Sequence, residues 1–174
     1  EAQSWSEALS ASLRAARGRF QGHLQFLNQG STAYKYNYSN SKRMRRHFWV
    51  QEETAELCWG KSRSEEPQTM CLKDCVGIIY GPLTSTFQRC GTLEDVPWGC
   101  FSLLFPDRTL DLAVSGDIVE RWFQGLQHLL LERAPACVSA LSEAQFAFRK
   151  ARLKLTDCAH RQGLTLRTLL LREL

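Results

Sequence analysis

Apolar residues recur with a helical spacing at the start of this chain. In residues 4–28 they return every three or four positions, which is the pattern of an amphipathic helix. The apolar stripe consists of Trp5, Leu9, Leu13 or Ala16, Phe20, Leu24 and Leu27. Ser4 and Glu7 stand at the spacing of a capping box, and Gly30 closes the segment. The pattern predicts one long helix that needs a partner for its apolar face.

The spacing then changes to short runs rich in β-branched and aromatic residues, separated by turn-forming residues. Such runs are typical of strands. The predicted strands are 31–38, 45–51, 55–60, 69–72, 76–80, 100–105 and 109–114. Residues 82–99, with their Gly, Pro and Thr, predict a long loop and the segment most prone to disorder. Together these elements predict a small antiparallel barrel or an orthogonal sandwich.

The strongest helical pattern follows the last predicted strand. Its apolar face consists of Ile118, Trp122, Leu126, Leu129 and Leu130. Ser115 or Asp117 is predicted to cap this helix. Since the helix follows an antiparallel hairpin and carries one large Trp, it is predicted to plug the open end of the barrel.

A second helical region follows Pro135. Residues 138–160 predict a helix, and residues 164–174 add one or two further turns. We expect three parts: an N-terminal helical extension at 1–30, a β-rich domain at 31–132 and a C-terminal helical extension at 133–174. The terminal helices are predicted to pack on each other or on the barrel.

The distribution of charge along the chain is more informative than its overall composition. The chain has 22 Lys and Arg against 18 Asp and Glu, but no carboxylate occurs between Glu7 and Glu52. Eight basic residues lie in that interval: Arg14, Arg17, Arg19, Lys35, Lys42, Arg43, Arg45 and Arg46. This polarity predicts a face that meets an anionic partner, or a solvated strand edge.

The sequence contains no recognisable catalytic, metal-binding or phosphate-binding motif. The seven Cys and four His are scattered without metal-ligand spacing, and no nucleophile elbow or phosphate-binding glycine loop occurs. We therefore expect a reduced, cytoplasmic protein that is not an enzyme and has no cofactor, metal or nucleic-acid partner. No run is apolar enough to span a membrane, and no signal peptide is expected.

Three blocks carry a resemblance to a known family over about residues 31–132. They are RMRRHFWVQEE, then TAELCWGKS, then FSLLF with RTLDL and VERWFQGLQHLL. In this order they resemble the pleckstrin homology (PH) domain, and most closely the PH domains of phospholipase C enzymes. The resemblance implies a mainly β fold with flanking α elements, a seven-stranded bent sandwich capped by a C-terminal helix. Its structural residues are then Trp122, Trp59 and Phe101.

The resemblance also implies a phosphoinositide headgroup site at the loop between the first two strands. The residues that match it are Lys35, Lys42, Arg43, Arg45, Arg46 and Lys61, with Arg63 as an alternative to Lys61. Met44 stands where many lipid-binding members carry a base, and residues 36–42 contain no Gly.

Two functions remain open at this point. One is a signalling module that targets a protein to anionic membrane as a peripheral membrane component. The other is a scaffold whose flanking helices or basic face dock a partner protein.

Overall fold

A computed structural model describes residues 2–134, 137 and 141–172. Its helices are α1 (Ala2–Gln29), α2 (Ser85–Gln88), α3 (Val119–Arg133), α4 (Glu143–Arg161) and α5 (Leu166–Arg172). Its strands are β1 (Ser31–Tyr36), β2 (Arg43–Gln51), β3 (Glu56–Gly60), β4 (Gln68–Cys71), β5 (Gly77–Tyr80), β6 (Cys100–Leu104) and β7 (Thr109–Ala113). The predicted set of seven strands is confirmed. No helix among the described residues is long and apolar enough to cross a bilayer.

All seven strands belong to one antiparallel sheet with the order β4-β3-β2-β1-β7-β6-β5. Strands β1 to β4 form one meander and strands β5 to β7 form another. The two meanders join where β1 pairs with β7, with Lys35 opposite Leu112. The ends of the sheet, β4 and β5, are not neighbours, so the open side needs a cover.

Helix α3 supplies that cover, as its apolar stripe predicts. Trp122 is fully buried, and its indole nitrogen donates to Ser31 Oγ at 2.8 Å. Phe101 is also fully buried, and Trp59 is buried with its ring nitrogen bonded to Gln68. The three predicted structural residues therefore lie in the core.

The predicted cap of α3 is wrong. Ile118 is the N-cap residue, and no side chain bonds to the free amides there. The Ser115 hydroxyl donates to the Asp117 carboxylate instead, so the two candidate caps satisfy each other. The backbone carbonyl of Ser115 accepts the amides of Ile118 and Val119.

The flanking helices share the core of the sheet. From α1, Leu24 and Leu27 are buried in it, and from α4 Phe146 stacks on Phe123 with ring centroids 5.3 Å apart. The terminal helices thus dock on the β-rich body, which was one of the two predicted arrangements. Because α1 begins at Ala2, position 4 lies inside the helix and not at its N-cap.

The start of α4 differs slightly from its prediction. The helix begins at Glu143, where Ser142 and Gln145 form a capping box. The predicted start at residue 138 lies outside the described residues.

Residues 82–99 form the predicted long connection between strands, but they are packed on the sheet and not disordered. This segment contains α2 and a short 3-10 turn, Pro97–Gly99, and it packs on the outer face of the sheet. Phe87 is buried there against Tyr36, with ring centroids 4.9 Å apart, in a second cluster with Cys100 and Ala113. A long-range apolar contact orders residues whose local composition is typical of a loop.

Candidate anion-binding site

The turn between β1 and β2 is held in one conformation. Tyr36 pairs with Arg43 at its base, and the amide of Asn37 donates to the carbonyl of Lys42. Ser41 has a positive φ of 55° and donates its hydroxyl to the carbonyl of Thr86 at 2.7 Å. The segment that covers the outer face therefore fixes this turn, and Lys42 stands exposed on it.

Lys35 does not present its charge to solvent. It lies on the inner face of β1, only 7% exposed, and its Nζ donates to Asn37 Oδ1 at 2.8 Å. Burial lowers the pKa of Lys35, and the nearby Arg108 and Arg46 lower it further. The lysine that the resemblance assigns to the headgroup site is thus enclosed at the end of the sheet.

Arg43 is engaged on the opposite face. Its guanidinium makes a two-point ion pair with Asp95, with both N–O distances at 2.8 Å, and it lies 3.2 Å from the centroid of the Tyr34 ring. The Tyr36 hydroxyl also donates to Asp95. The bonded carboxylate raises the pKa of Arg43, so this charge is fixed and already matched.

Three of the predicted site residues meet in one open cleft of about 540 Å³. The lining residues are Arg45, Arg46, Lys61, Thr32, His47, Ser62 and Arg63. Strand β2 supplies the first two arginines, and the connection after β3 supplies Lys61. Arg46 folds back, donating to the carbonyl of Arg45 at 2.7 Å.

The cleft is electrostatically one-sided. None of its lining residues is a carboxylate. The ion pairs found within the described ranges do not involve Arg45, Arg46 or Lys61. These cations therefore face the cleft without an anionic partner, which is the state that favours a bound anion.

The C-terminal end of α1 holds two of the lining side chains. Arg63 donates to the carbonyl of Asn28, and its guanidinium lies 5.2 Å from the Trp49 ring centroid. Burial lowers the pKa of His47, and Arg63 lowers it further, while a hydrogen bond to the Gln29 backbone opposes the shift. The negative end of the helix dipole thus stabilises positive charge at the edge of the cleft.

Helix α1 leaves the cleft open. None of its residues lines the cleft, although its last turn stands beside it.

His47, Thr32 and Ser62 line the cleft but were not predicted as site residues. The strand period provides a signal for two of them. Arg45 and His47 are two residues apart on β2, and His47 pairs with Thr32 on β1, so all three share one face. The position of Ser62 depends on the course of the connection after β3, which the local pattern does not give.

The chemistry of the cleft suits phosphate groups. Guanidinium groups donate two parallel hydrogen bonds to phosphate oxygens, and the Lys61 ammonium adds a flexible point charge. Across the part of the chain that the structure describes, no group of three or more His, Cys, Asp or Glu side chains is placed to hold a metal ion.

No protein-family model matches this sequence, and no curated protein matches it. Solved structures of similar fold include the PH domain of human TBC1 domain family member 2. That match has 18% identity, covers 59% of this chain and 80% of the other, and has a TM-score of 0.44.

Two further structures are similar. Inner membrane complex sub-compartment protein 1 of Toxoplasma gondii matches at 13% identity, over 66% of this chain and 92% of that chain, with a TM-score of 0.49. S. officinalis PLC21 matches at 15% identity, over 61% of this chain and 16% of that chain, with a TM-score of 0.46. In its seven-stranded antiparallel sheet and closing helix, this chain has a PH-like fold.

Proposed function

We propose that this chain is a membrane-targeting module that binds the headgroups of anionic lipids, phosphoinositides among them, through the basic cleft. PH-like folds carry sites for lipids or for proteins, so the fold alone does not choose between them. The observation that carries the proposal is the meeting of Arg45, Arg46 and Lys61 in one open, carboxylate-free cleft.

Within this proposal the predicted site residues have different roles. Arg45, Arg46 and Lys61 contact lipid phosphates, and exposed Lys42 adds attraction from the neighbouring turn. Lys35 and Arg43 support the site and do not contact lipid phosphates. The Lys35 ammonium is buried and bonded to Asn37, and the Arg43 guanidinium is bound to Asp95. No catalytic step is proposed for the chain.

The attraction depends on charge more than on a deep stereospecific pocket. The cleft is open, and Met44 occupies a position that is basic in many lipid-binding relatives of the fold. We therefore expect binding to increase with the charge density of the lipid, so that multiply phosphorylated inositol lipids bind more tightly than phosphatidylserine. The protein then associates with the membrane surface peripherally.

Sedimentation with vesicles tests this proposal. Phosphatidylcholine vesicles alone, with phosphatidylserine or with a phosphoinositide bisphosphate are the three probes. Each basic group near an anionic surface contributes about 1 kcal/mol, so the double variant Arg45→Ala/Lys61→Ala should weaken binding to the anionic vesicles about 30-fold.

A matched control removes the same charge elsewhere. Lys73→Ala/Arg133→Ala also lowers the net charge by two, and both residues are exposed and lie outside the cleft lining. Binding of this control should stay within about threefold of the unmodified protein. Equal losses for the two double variants, or no binding of the unmodified protein at low salt, would overturn the proposal.

A further inference from the structure

The apolar face of α1 continues beyond the body it packs on. Helix α1 runs antiparallel to α3: Phe26 contacts the Trp122 ring at 6.0 Å between centroids, and Phe20 contacts the His128 ring at 5.1 Å. Helix α3 ends at Arg133, only five residues after His128. The N-terminal half of α1 therefore extends past the end of α3.

The apolar stripe continues along this projecting half, where its side chains are exposed to solvent. Trp5, Leu9 and Leu13 are 79%, 63% and 62% exposed. Their spacing of four residues places them on the face that carries Phe20 and Leu24 further along the helix. Where the stripe reaches the end of α3, it opens into an apolar groove of about 530 Å³. The groove is lined by Leu13, Arg14, Ala16, Arg17, Phe20 and His128.

The charge around the groove is positive. Arg14 and Arg17 line it and are exposed, and their helix has no carboxylate after Glu7. On the other flank of the stripe, outside the groove lining, Arg19 pairs with Glu143 in the first turn of α4 at 3.4 Å. An apolar stripe with basic flanks is complementary to an apolar stripe with acidic flanks.

Two other occupants fit less well. The exposed stripe faces the same side as α3 and the sheet, so a flat bilayer lying on Trp5 and Leu13 would run into the body of the protein. A second copy of the chain would bring Arg14 and Arg17 towards the same arginines of its partner, with few carboxylates to balance them.

We propose that the projecting half of α1 and its groove dock an amphipathic helix with acidic flanks from a partner protein. The stripe Trp5, Leu9 and Leu13 supplies the apolar contact. Arg14 and Arg17 favour partner helices with acidic flanks over those with basic flanks. This surface is separate from the basic cleft, which lies beside the opposite end of α1, so either proposal stands without the other.

Two synthetic peptides test the charge selection. Both are helical, of equal length, with the same leucine stripe, and they differ only in having Glu or Lys on its flanks. Fluorescence anisotropy of the labelled peptides should show the acidic peptide binding at least 10-fold more tightly than the basic one. Absence of binding, or equal binding of the two peptides, overturns the proposal.

Variants of the chain make the test specific to this surface. Leu9→Ser/Leu13→Ser should abolish peptide binding, and Arg14→Glu/Arg17→Glu should reverse the preference towards the basic peptide. The control Arg149→Glu/Arg152→Glu reverses two exposed charges on α4 and should leave the preference unchanged. A control that reverses the preference as strongly would overturn the assignment to α1.

Two companion measurements identify the alternative occupants. Sedimentation equilibrium that shows a dimer, lost on Leu9→Ser, would assign the stripe to a second copy and contradict the proposal. Vesicle binding that depends on Leu9 and Leu13 would assign it to a membrane and contradict it as well. Circular dichroism confirms that each variant remains folded.

Discussion

At the scale of single residues, Lys35 is a charged side chain whose burial opposes folding. Its ammonium lies on the inner face of the sheet, where burial lowers its pKa and the nearby Arg108 and Arg46 lower it further. Asn37 Oδ1 is the hydrogen-bond acceptor for this ammonium. Holding a charge in such a place costs stability, because the neutral Asn37 acceptor replaces only part of its hydration.

Replacing Lys35 by Met should therefore leave the protein folded and raise or maintain its free energy of unfolding at neutral pH. The lowered pKa means that the unfolded chain binds more protons in the alkaline range below the ordinary pKa of lysine. The destabilisation of the folded state by the Lys35 charge is therefore fully present at neutral pH, and it is lost as pH rises through the folded-state pKa of this lysine.

Urea denaturation at several pH values measures this difference. The advantage of Lys35→Met over the unmodified protein should be largest near neutral pH and should shrink towards alkaline pH. A variant that is much less stable at neutral pH, or an advantage that grows with pH, would show that the Lys35 charge stabilises the fold.

Asp111 shows what a local pattern misses at this scale. The local pattern of β7 does not indicate that this side chain is buried. The side chain is fully buried and accepts hydrogen bonds from the hydroxyls of Thr84, Ser102 and Thr109. It faces away from the core side of the strand, where Thr84 from the 82–99 segment, distant along the chain, bonds to it.

At the scale of elements, Gly30 connects α1 to β1. It has a φ of +75°, and a Cβ at this position would lie 2.3 Å from the carbonyl oxygen of Phe48. Only glycine allows the chain to leave the helix here and enter the sheet, beside the last turn that holds Arg63 and His47.

Gly30→Ala should therefore lower the free energy of unfolding by about 3 kcal/mol, through backbone strain and the clash with Phe48. Gly22→Ala is the matched control, since a Cβ there meets no atom within 4 Å. In a helix interior this change should raise stability by about 0.5–1 kcal/mol. Thermal unfolding that shows the same shift for both variants would contradict this account of the connection.

Elements with strong local patterns could be predicted from the sequence. The seven strands lie close to their predicted bounds and α3 carries its predicted apolar face, because alternation and helical spacing are local properties. The order within 82–99 could not be predicted, since it depends on Phe87 meeting Tyr36 across the sheet. The cap of α3 failed for a similar reason, because Ser115 and Asp117 bond to each other.

At the scale of the whole molecule, the site could be predicted only in part. The charge distribution along the chain indicated a basic face, and Arg45, Arg46 and Lys61 do meet in one cleft. No local pattern indicates that Arg43 is bound to Asp95, because 52 residues separate the two. The flanking helices also proved to be part of the folded body, since Leu27 and Phe146 share its core.

The central claim is that the basic cleft binds phosphate groups. The most direct measurement is a titration of the isotope-labelled protein with inositol hexakisphosphate, followed by amide chemical shifts in NMR. We expect the largest shifts in residues 45–47 and 61–63, the two segments that supply most of the cleft. The absence of shifts, or shifts confined to the turn at 37–42 and to α1, would contradict it.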